Sequence, residues 1–318
     1  MALLDEIGDF INTEIESIAY PEKPAGLYEP IRYTLEGGGK RLRPTLLLAS
    51  CHAFCGDYRR AVKQAVGIEM YHNFTLLHDD VMDRSAMRRG KPTVHVKWNE
   101  ATAILSGDTM LTMASQLIAD NAKDKTASVV DIFNRMGIEV AEGQQFDMDF
   151  EKRDDVTLDE YLEMIRLKTS VLLGCACEIG AIMGDASPED AARLRDMAID
   201  MGIAFQLQDD YLDTFGNPAT FGKRIGGDIL NAKKTALLII ATSRDASLLS
   251  IINSDIPDDD KIRKVSDIYV ASGATGECRR LIGHYSEKAV KRLDEIAISS
   301  ESKAIFRSII QKSAVRNV

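Results

Sequence analysis

Apolar residues fall in short runs set between polar ones. The longest, near Ala236 to Ala241, is far short of the roughly 20 apolar residues that a membrane-spanning helix needs. Eight prolines punctuate the chain, at 21, 24, 30, 44, 92, 188, 218 and 257, and the 95 residues between Pro92 and Pro188 contain none. Proline breaks helices, so long proline-free stretches rich in Ala, Leu, Met, Glu and Lys predict helices. The start signals agree. Thr157-Leu158-Asp159-Glu160 reads as a capping box, and Ser187-Pro188-Glu189-Asp190 as an N-cap followed by proline and acids in the first turn. No series of short alternating strands joined by Asn-Gly or Asp-Gly turns is present. The pattern predicts an all-α protein of about ten or more helices. No short-period repeat or linker divides the chain, so a single domain over 1–318 is expected.

Three Gly-rich, charged segments interrupt the helical pattern. They are Gly37 to Pro44, Arg84 to Pro92 and Phe215 to Asp228. Such connections carry function more often than the helices they join.

Composition narrows the class. With 45% hydrophobic and 28% charged residues, the 318-residue chain has the balance of a globular protein. A net charge of −10 argues against a general binder of nucleic acid or anionic membrane, both of which need a basic field. Five cysteines, Cys51, Cys55, Cys175, Cys177 and Cys278, give no even disulfide framework and no paired spacing for zinc. They read as buried thiols of a reducing compartment. The acidic start, Asp5 and Glu6 after four apolar residues, is unlike a secretory signal. A cytoplasmic protein without an integral membrane segment is expected.

The candidate chemistry lies in two acidic triads. Asp79, Asp80 and Asp83 form one, and Asp209, Asp210 and Asp213 the other. In a helix, positions i and i+4 are neighbours, so Asp79 stands over Asp83 and Asp209 over Asp213. Like charges stacked this way destabilise a bare helix by a few tenths of a kcal/mol. Leu76, Leu77, Val81 and Met82 flank the first triad, and Phe205 and Leu207 the second, as in core helices. Acids in such a setting need a partner, and a hard divalent cation with oxygen ligands suits them. One acid-acid-x-x-acid pattern is expected about once by chance among 49 acids; two all-Asp triads in apolar settings are not.

Basic clusters sharpen this reading. Lys40, Arg41 and Arg43 lie in the first loop, and Arg84, Arg88, Arg89 and Lys91 follow the first triad. Lys223 and Arg224, then Lys233 and Lys234, follow the second. Carboxylates that hold a cation beside Arg and Lys make a site for a metal-bridged phosphate. No Gly-x4-Gly-Lys-Ser/Thr pattern is present, which argues against a P-loop nucleotide enzyme.

At these residues the chain resembles the trans-isoprenyl diphosphate synthases (polyprenyl synthetases), of the short-chain farnesyl and geranylgeranyl type. The resemblance runs from about Gly37 to Thr235. Gly38-Gly39-Lys40-Arg41-Leu42-Arg43-Pro44 is similar to the family's first basic loop. Asp79-Asp80-Val81-Met82-Asp83 with Arg88-Arg89-Gly90 is similar to its first Asp-rich motif, and Gln208-Asp209-Asp210-Tyr211-Leu212-Asp213 to its second. Gly143-Gln144-Gln145-Phe146-Asp147, Lys168-Thr169, Gly222-Lys223 and Gly227-Asp228 with Lys233 match segments in the family's order.

The resemblance implies an antiparallel helical bundle around a central cavity (the isoprenoid synthase fold), usually a homodimer. It implies that Asp79, Asp83 and Asp209 ligate three Mg²⁺ ions, supported by Asp80, Asp210 and Asp213. Arg88, Lys168 and Lys233 would hold an allylic diphosphate, with Lys223 nearby. Lys40, Arg43, His72 and Arg89 would hold isopentenyl diphosphate. Thr169 and Gln206 would line the reacting carbons, and Gln144 and Asp147 would support the metal shell. Phe74 and Thr75, five and four positions before Asp79, would set the floor of the tail pocket. In an ideal helix Thr75 lies about 40° from the Asp79 direction and Phe74 about 140°, so Phe74 is placed there by the resemblance alone. A Phe at that position resembles short-chain enzymes and implies a C15–C20 product, leaning to geranylgeranyl diphosphate.

The chemistry fits the residues. An allylic C–O bond ionises when the leaving diphosphate is stabilised by metal ions and Arg or Lys. Three other readings are weighed. A terpene cyclase on the same scaffold would carry an Asn/Asp-x2-Ser/Thr-x3-Glu second motif, whereas this chain has a second Asp triad. A long-chain polyprenyl synthase would have small residues near Phe74. A non-catalytic partner subunit would have eroded acidic motifs, and both are intact.

Overall fold

The computed structural model describes residues 2–217 and 225–314. Among these the chain is all-α apart from one two-residue hairpin. By internal contacts it divides into two compact units, Met1–Arg135 with Cys175–Ala192, and Met136–Gly174 with Arg193–Val318.

The first unit holds α1 (Ala2–Glu16), α2 (Ala25–Leu35), α3 (Leu42–Cys55), α4 (Val62–Met82), α5 (Val94–Lys97) and α6 (Glu100–Ala119). Helix α4 is buried along most of its length, including Ile68, Met70 and Tyr71. It packs closely on α6 because glycine sits at both ends of the contact. A Cβ on Gly67 would stand 3.1 Å from the Ala114 carbonyl oxygen. A Cβ on Gly107 of α6 would collide with the His78 ring. Between α4 and α5 lies the hairpin of β1 (Met87–Arg88) and β2 (Lys91–Pro92), paired antiparallel with Arg88 opposite Lys91. Arg89 and Gly90 form its turn with φ of 51° and 75°, the pattern of a tight hairpin turn with both central residues left-handed. The helical reading missed this hairpin because two-residue strands leave no alternation to detect.

The second unit receives most of α7 (Thr126–Phe150), then α8 (Leu158–Ile165), a π turn over Arg166–Ser170, the start of α9 (Val171–Met183) and most of α10 (Pro188–Phe215). Helices α11 (Gly227–Leu230), α12 (Ala236–Arg244), α13 (Leu248–Ile252), α14 (Asp258–Ala271), α15 (Ala274–Asp294) and α16 (Ser300–Ala314) follow. The capping box is present at α8: the Thr157 hydroxyl accepts the Glu160 N–H, and Glu160 accepts the Thr157 N–H. Ser187 likewise accepts the Asp190 N–H at 3.1 Å, just ahead of α10. The core gathers Tyr161, Leu207, Leu237, Leu238, Val265 and Cys278. Lys288 and Arg292 of α15 hold the buried Asp200 of α10 at 2.9 and 2.7 Å. No helix among the described residues is long and apolar enough to cross a membrane.

Candidate active site

In the first unit, α4 ends at Met82 and Asp83 caps it, its N–H bonded to the Asp79 carbonyl at 2.8 Å. The one-turn spacing of Asp79 and Asp83 is thus kept. Asp80 is buried, and Arg88 on β1 points Nε at both its carboxylate oxygens, 2.9 Å from each. Burial pushes the Asp80 carboxyl above its ordinary pKa, and the Arg88 charge opposes this. The hairpin turn carries Arg89 to the first basic loop, where Nη1 donates to the Gly38 carbonyl. A Cβ on Gly39 would stand 3.0 Å from that guanidinium, so glycine leaves it room.

Next to this lies the Arg43–His72 contact, 3.2 Å from Nη1 to Nε2. Burial, then the charges of Arg43, Arg89, Arg88 and Arg41, push the His72 imidazole well below its ordinary pKa. His72 is therefore neutral, and its Nε2 accepts from Arg43. The result is a cationic cluster in an acidic protein. Lys40 is exposed at its edge of the loop.

Arg41 departs from the sequence reading, which grouped it with Lys40 and Arg43. It is 7% exposed and takes a left-handed conformation, φ 47°. Its guanidinium bonds Glu69 at 2.6 Å, the Leu35 carbonyl at 2.8 Å and Asn12 at 3.1 Å. It anchors the loop and faces the core. The signal was Glu69, an acid on an otherwise apolar stretch of α4, which needs a counterion.

Phe74 is half-buried in an aromatic row, its ring 5.4 Å from Tyr71 and 4.8 Å from His78, with Phe133 5.3 Å beyond Tyr71. The Thr75 hydroxyl donates back to the His72 carbonyl at 2.8 Å.

In the second unit, the π turn carries Lys168 and Thr169. Lys168 Nζ donates to Asp147 of α7 at 2.6 Å, and Thr169 donates to Gln206 of α10 at 3.2 Å. Gln206 in turn donates to Asp210 at 2.8 Å, and the Tyr161 hydroxyl donates to the other Asp210 oxygen. Burial pushes Asp210 up to about 8, and the Asp228 charge adds to this. The bonds from Tyr161 and Gln206, and the Lys233 charge, oppose it. Asp213 accepts the Asp228 N–H at 2.8 Å. Lys233 is exposed; Lys234, grouped with it by sequence, turns instead to Asp154 at 2.9 Å. Asp209 and Gln144 are half-buried on α10 and α7. Lys223 and Arg224 lie outside the described residues. Tyr161 and the π turn were not legible in the sequence.

Residues 24–269 match the polyprenyl synthetase family. The chain belongs to that family. Over 253 residues, 78% of each chain, it is 41% identical to a geranylgeranyl diphosphate synthase of Methanosarcina mazei. A solved geranylgeranyl pyrophosphate synthase superposes with a TM-score of 0.94 at 41% identity, covering 99% of both chains. A polyprenyl synthase from Caulobacter crescentus CB15, solved with calcium and isoprenyl diphosphate, superposes with a TM-score of 0.84 at 28% identity, covering 99% of this chain and 95% of that one. As a polyprenyl synthetase the protein is a prenyltransferase of isoprenoid biosynthesis, and its all-α architecture is that of its relatives.

Proposed function

We propose that this polyprenyl synthetase condenses isopentenyl diphosphate head-to-tail with an allylic diphosphate, releasing diphosphate and a short all-trans prenyl diphosphate. The product is C15–C20, with geranylgeranyl diphosphate favoured. The observation that carries this is the cationic cluster of Arg43, neutral His72 and Arg89 in the first unit. A cyclase needs one diphosphate site. A transferase needs a second, and these residues supply it.

The donor set suits Mg²⁺. Each triad offers hard carboxylate oxygens at one-turn spacing. Among the described residues no three His, Cys, Asp or Glu side chains form a ready cage. Mg²⁺ takes one or two carboxylates and completes its octahedron with water and substrate phosphates, so paired carboxylates are what it asks of a protein here. Asp79, Asp83 and Asp209 would hold three ions, with Asp80, Asp210 and Asp213, already bonded to protein groups, in support. When bound, the ions supply charge to the departing diphosphate.

The chain's own residues do the rest. Arg88, Lys168 and Lys233 hold the allylic diphosphate while its C1–O bond breaks and the electron pair leaves with diphosphate. Lys40, Arg43, His72 and Arg89 hold isopentenyl diphosphate so that its alkene attacks C1. Thr169 and the Gln206 carbonyl, weak nucleophiles, steady the cation without trapping it, and Gln144 and Asp147 would support the metal shell. The proton from C2 of the isopentenyl unit goes to the departed diphosphate. Phe74 closes the tail pocket in this reading.

The chain acts as a single isoprenoid synthase domain and a homodimer in the cytoplasm. The family match crossing both units supports the first. Exposed Ile104, Leu105 and Leu111 on α6 support the second. Five free thiols suit a reducing compartment. Incubation of purified protein with isopentenyl diphosphate, each allylic primer from C5 to C15 and Mg²⁺, with products read by mass spectrometry, tests the reading. Elongation abolished by EDTA is expected; no elongation from any primer would end it.

A further inference from the structure

The π turn at Arg166–Ser170 lies against two helices at glycines. On α7, a Cβ on Gly143 would collide with the Lys168 backbone, standing 2.7 Å from its Cα and 2.8 Å from the Leu167 carbonyl carbon. On α10, a Cβ on Gly202 would stand 2.8 Å from both the Cβ and Oγ of Ser170 and 2.9 Å from its Cα. Real side chains do not come so close, so either helix would have to back away from the turn. Four residues after each glycine, on the same helix face, stands the group that grips the turn. Asp147 follows Gly143 and takes Lys168 at 2.6 Å; Gln206 follows Gly202 and takes Thr169 at 3.2 Å. The arrangement is the same on both sides: glycine for approach, then a polar side chain one turn on. The turn itself is π, with the Ser170 hydroxyl bonded to the Ile165 carbonyl five residues back. Such turns are uncommon and concentrate at functional sites.

We infer that Gly143 and Gly202 are positioning residues: together they clamp the π turn so that Lys168 and Thr169 are delivered to the reacting allylic group. This rests on the prenyl-transfer reading. Neither glycine has a side chain with which to act on the substrate. Each acts by fixing how far its helix, and the Asp147 or Gln206 it carries, stands from the turn. A displacement of about 1 Å at reacting groups can cost on the order of 100-fold in rate.

The test is a set of kinetic cycles with melting temperature read in parallel. Gly202→Ala is expected to lower kcat by about 10- to 100-fold. In a Thr169→Ala background it should lower kcat no further, while its cost in melting temperature is the same in both backgrounds. Gly143→Ala should behave likewise against Lys168→Ala. Ser170→Gly removes the Cβ and Oγ that Gly202→Ala would strike but leaves the Cα at 2.9 Å, so it should return part of the lost kcat to Gly202→Ala. Losses in kcat that multiply in full across the backgrounds would overturn the inference. A wild-type protein that elongates no primer would instead remove the prenyl-transfer reading beneath it.

Discussion

Arg41 and Glu69 meet 2.6 Å apart with both side chains almost wholly buried. The pair ties the first basic loop to α4, and Asn73 adds a second bond to the same Glu69 oxygen at 3.1 Å. Arg41 itself sits in the left-handed region, φ 47°, between Lys40 and Arg43 of the same loop.

Breaking a buried pair strands a charge, which costs roughly 3–5 kcal/mol. Arg41→Ala should lose about that much in urea unfolding. Arg41→Gly relieves the left-handed backbone but strands the same carboxylate, so it should recover only a small part. Equal stability of Arg41→Ala and wild type would remove the anchor.

His72 gives a pH prediction. The folded chain keeps the imidazole neutral, because its pKa lies well below 6.5. The unfolded chain binds a proton near 6.5. The stability contributed is therefore full above about 6.5 and is lost as pH falls below it. His72→Gln should flatten the decline in unfolding free energy between about pH 7 and 5 by up to one proton's worth of slope. An unchanged slope contradicts the neutral assignment.

Phe74→Ala should lengthen the product by one or more isopentenyl units, read by mass spectrometry with unlimited isopentenyl diphosphate. The aromatic row of Phe133, Tyr71, Phe74 and His78 should survive in part, so the loss in melting temperature stays within the range of a half-buried site. An unchanged product takes Phe74 out of the pocket floor.

Inorganic diphosphate and Mg²⁺ together should raise the melting temperature, and neither alone should do so to the same extent, because ligand that binds the folded state stabilises it by mass action. Asp79→Ala should cancel the joint effect. Stabilisation by diphosphate that is indifferent to Mg²⁺ contradicts a metal-carried site.

The helices were legible because proline spacing, the Thr157 capping box and the Ser187 N-cap are local signals, read within one turn. The aspartate triads were legible because acids among core residues demand an explanation. What could not be read depended on contacts distant in sequence. Arg41 and Glu69 are 28 residues apart, and Tyr161 and Asp210 are 49 apart. Nothing near Arg41 distinguishes it from Lys40 or Arg43, and Lys234 looks like Lys233 until Asp154 is seen beside it. The π turn packs against Gly143 and Gly202, a contact between segments distant in sequence that a one-dimensional pattern cannot show.

A crystal structure of the protein with Mg²⁺ and an unreactive thiolo analogue of an allylic diphosphate tests the central claim most directly. The account predicts three ions on the diphosphate oxygens, ligated by Asp79, Asp83 and Asp209, with Arg88, Lys168 and Lys233 on the same diphosphate. A diphosphate bound without metal, or metal held away from those aspartates, would contradict it.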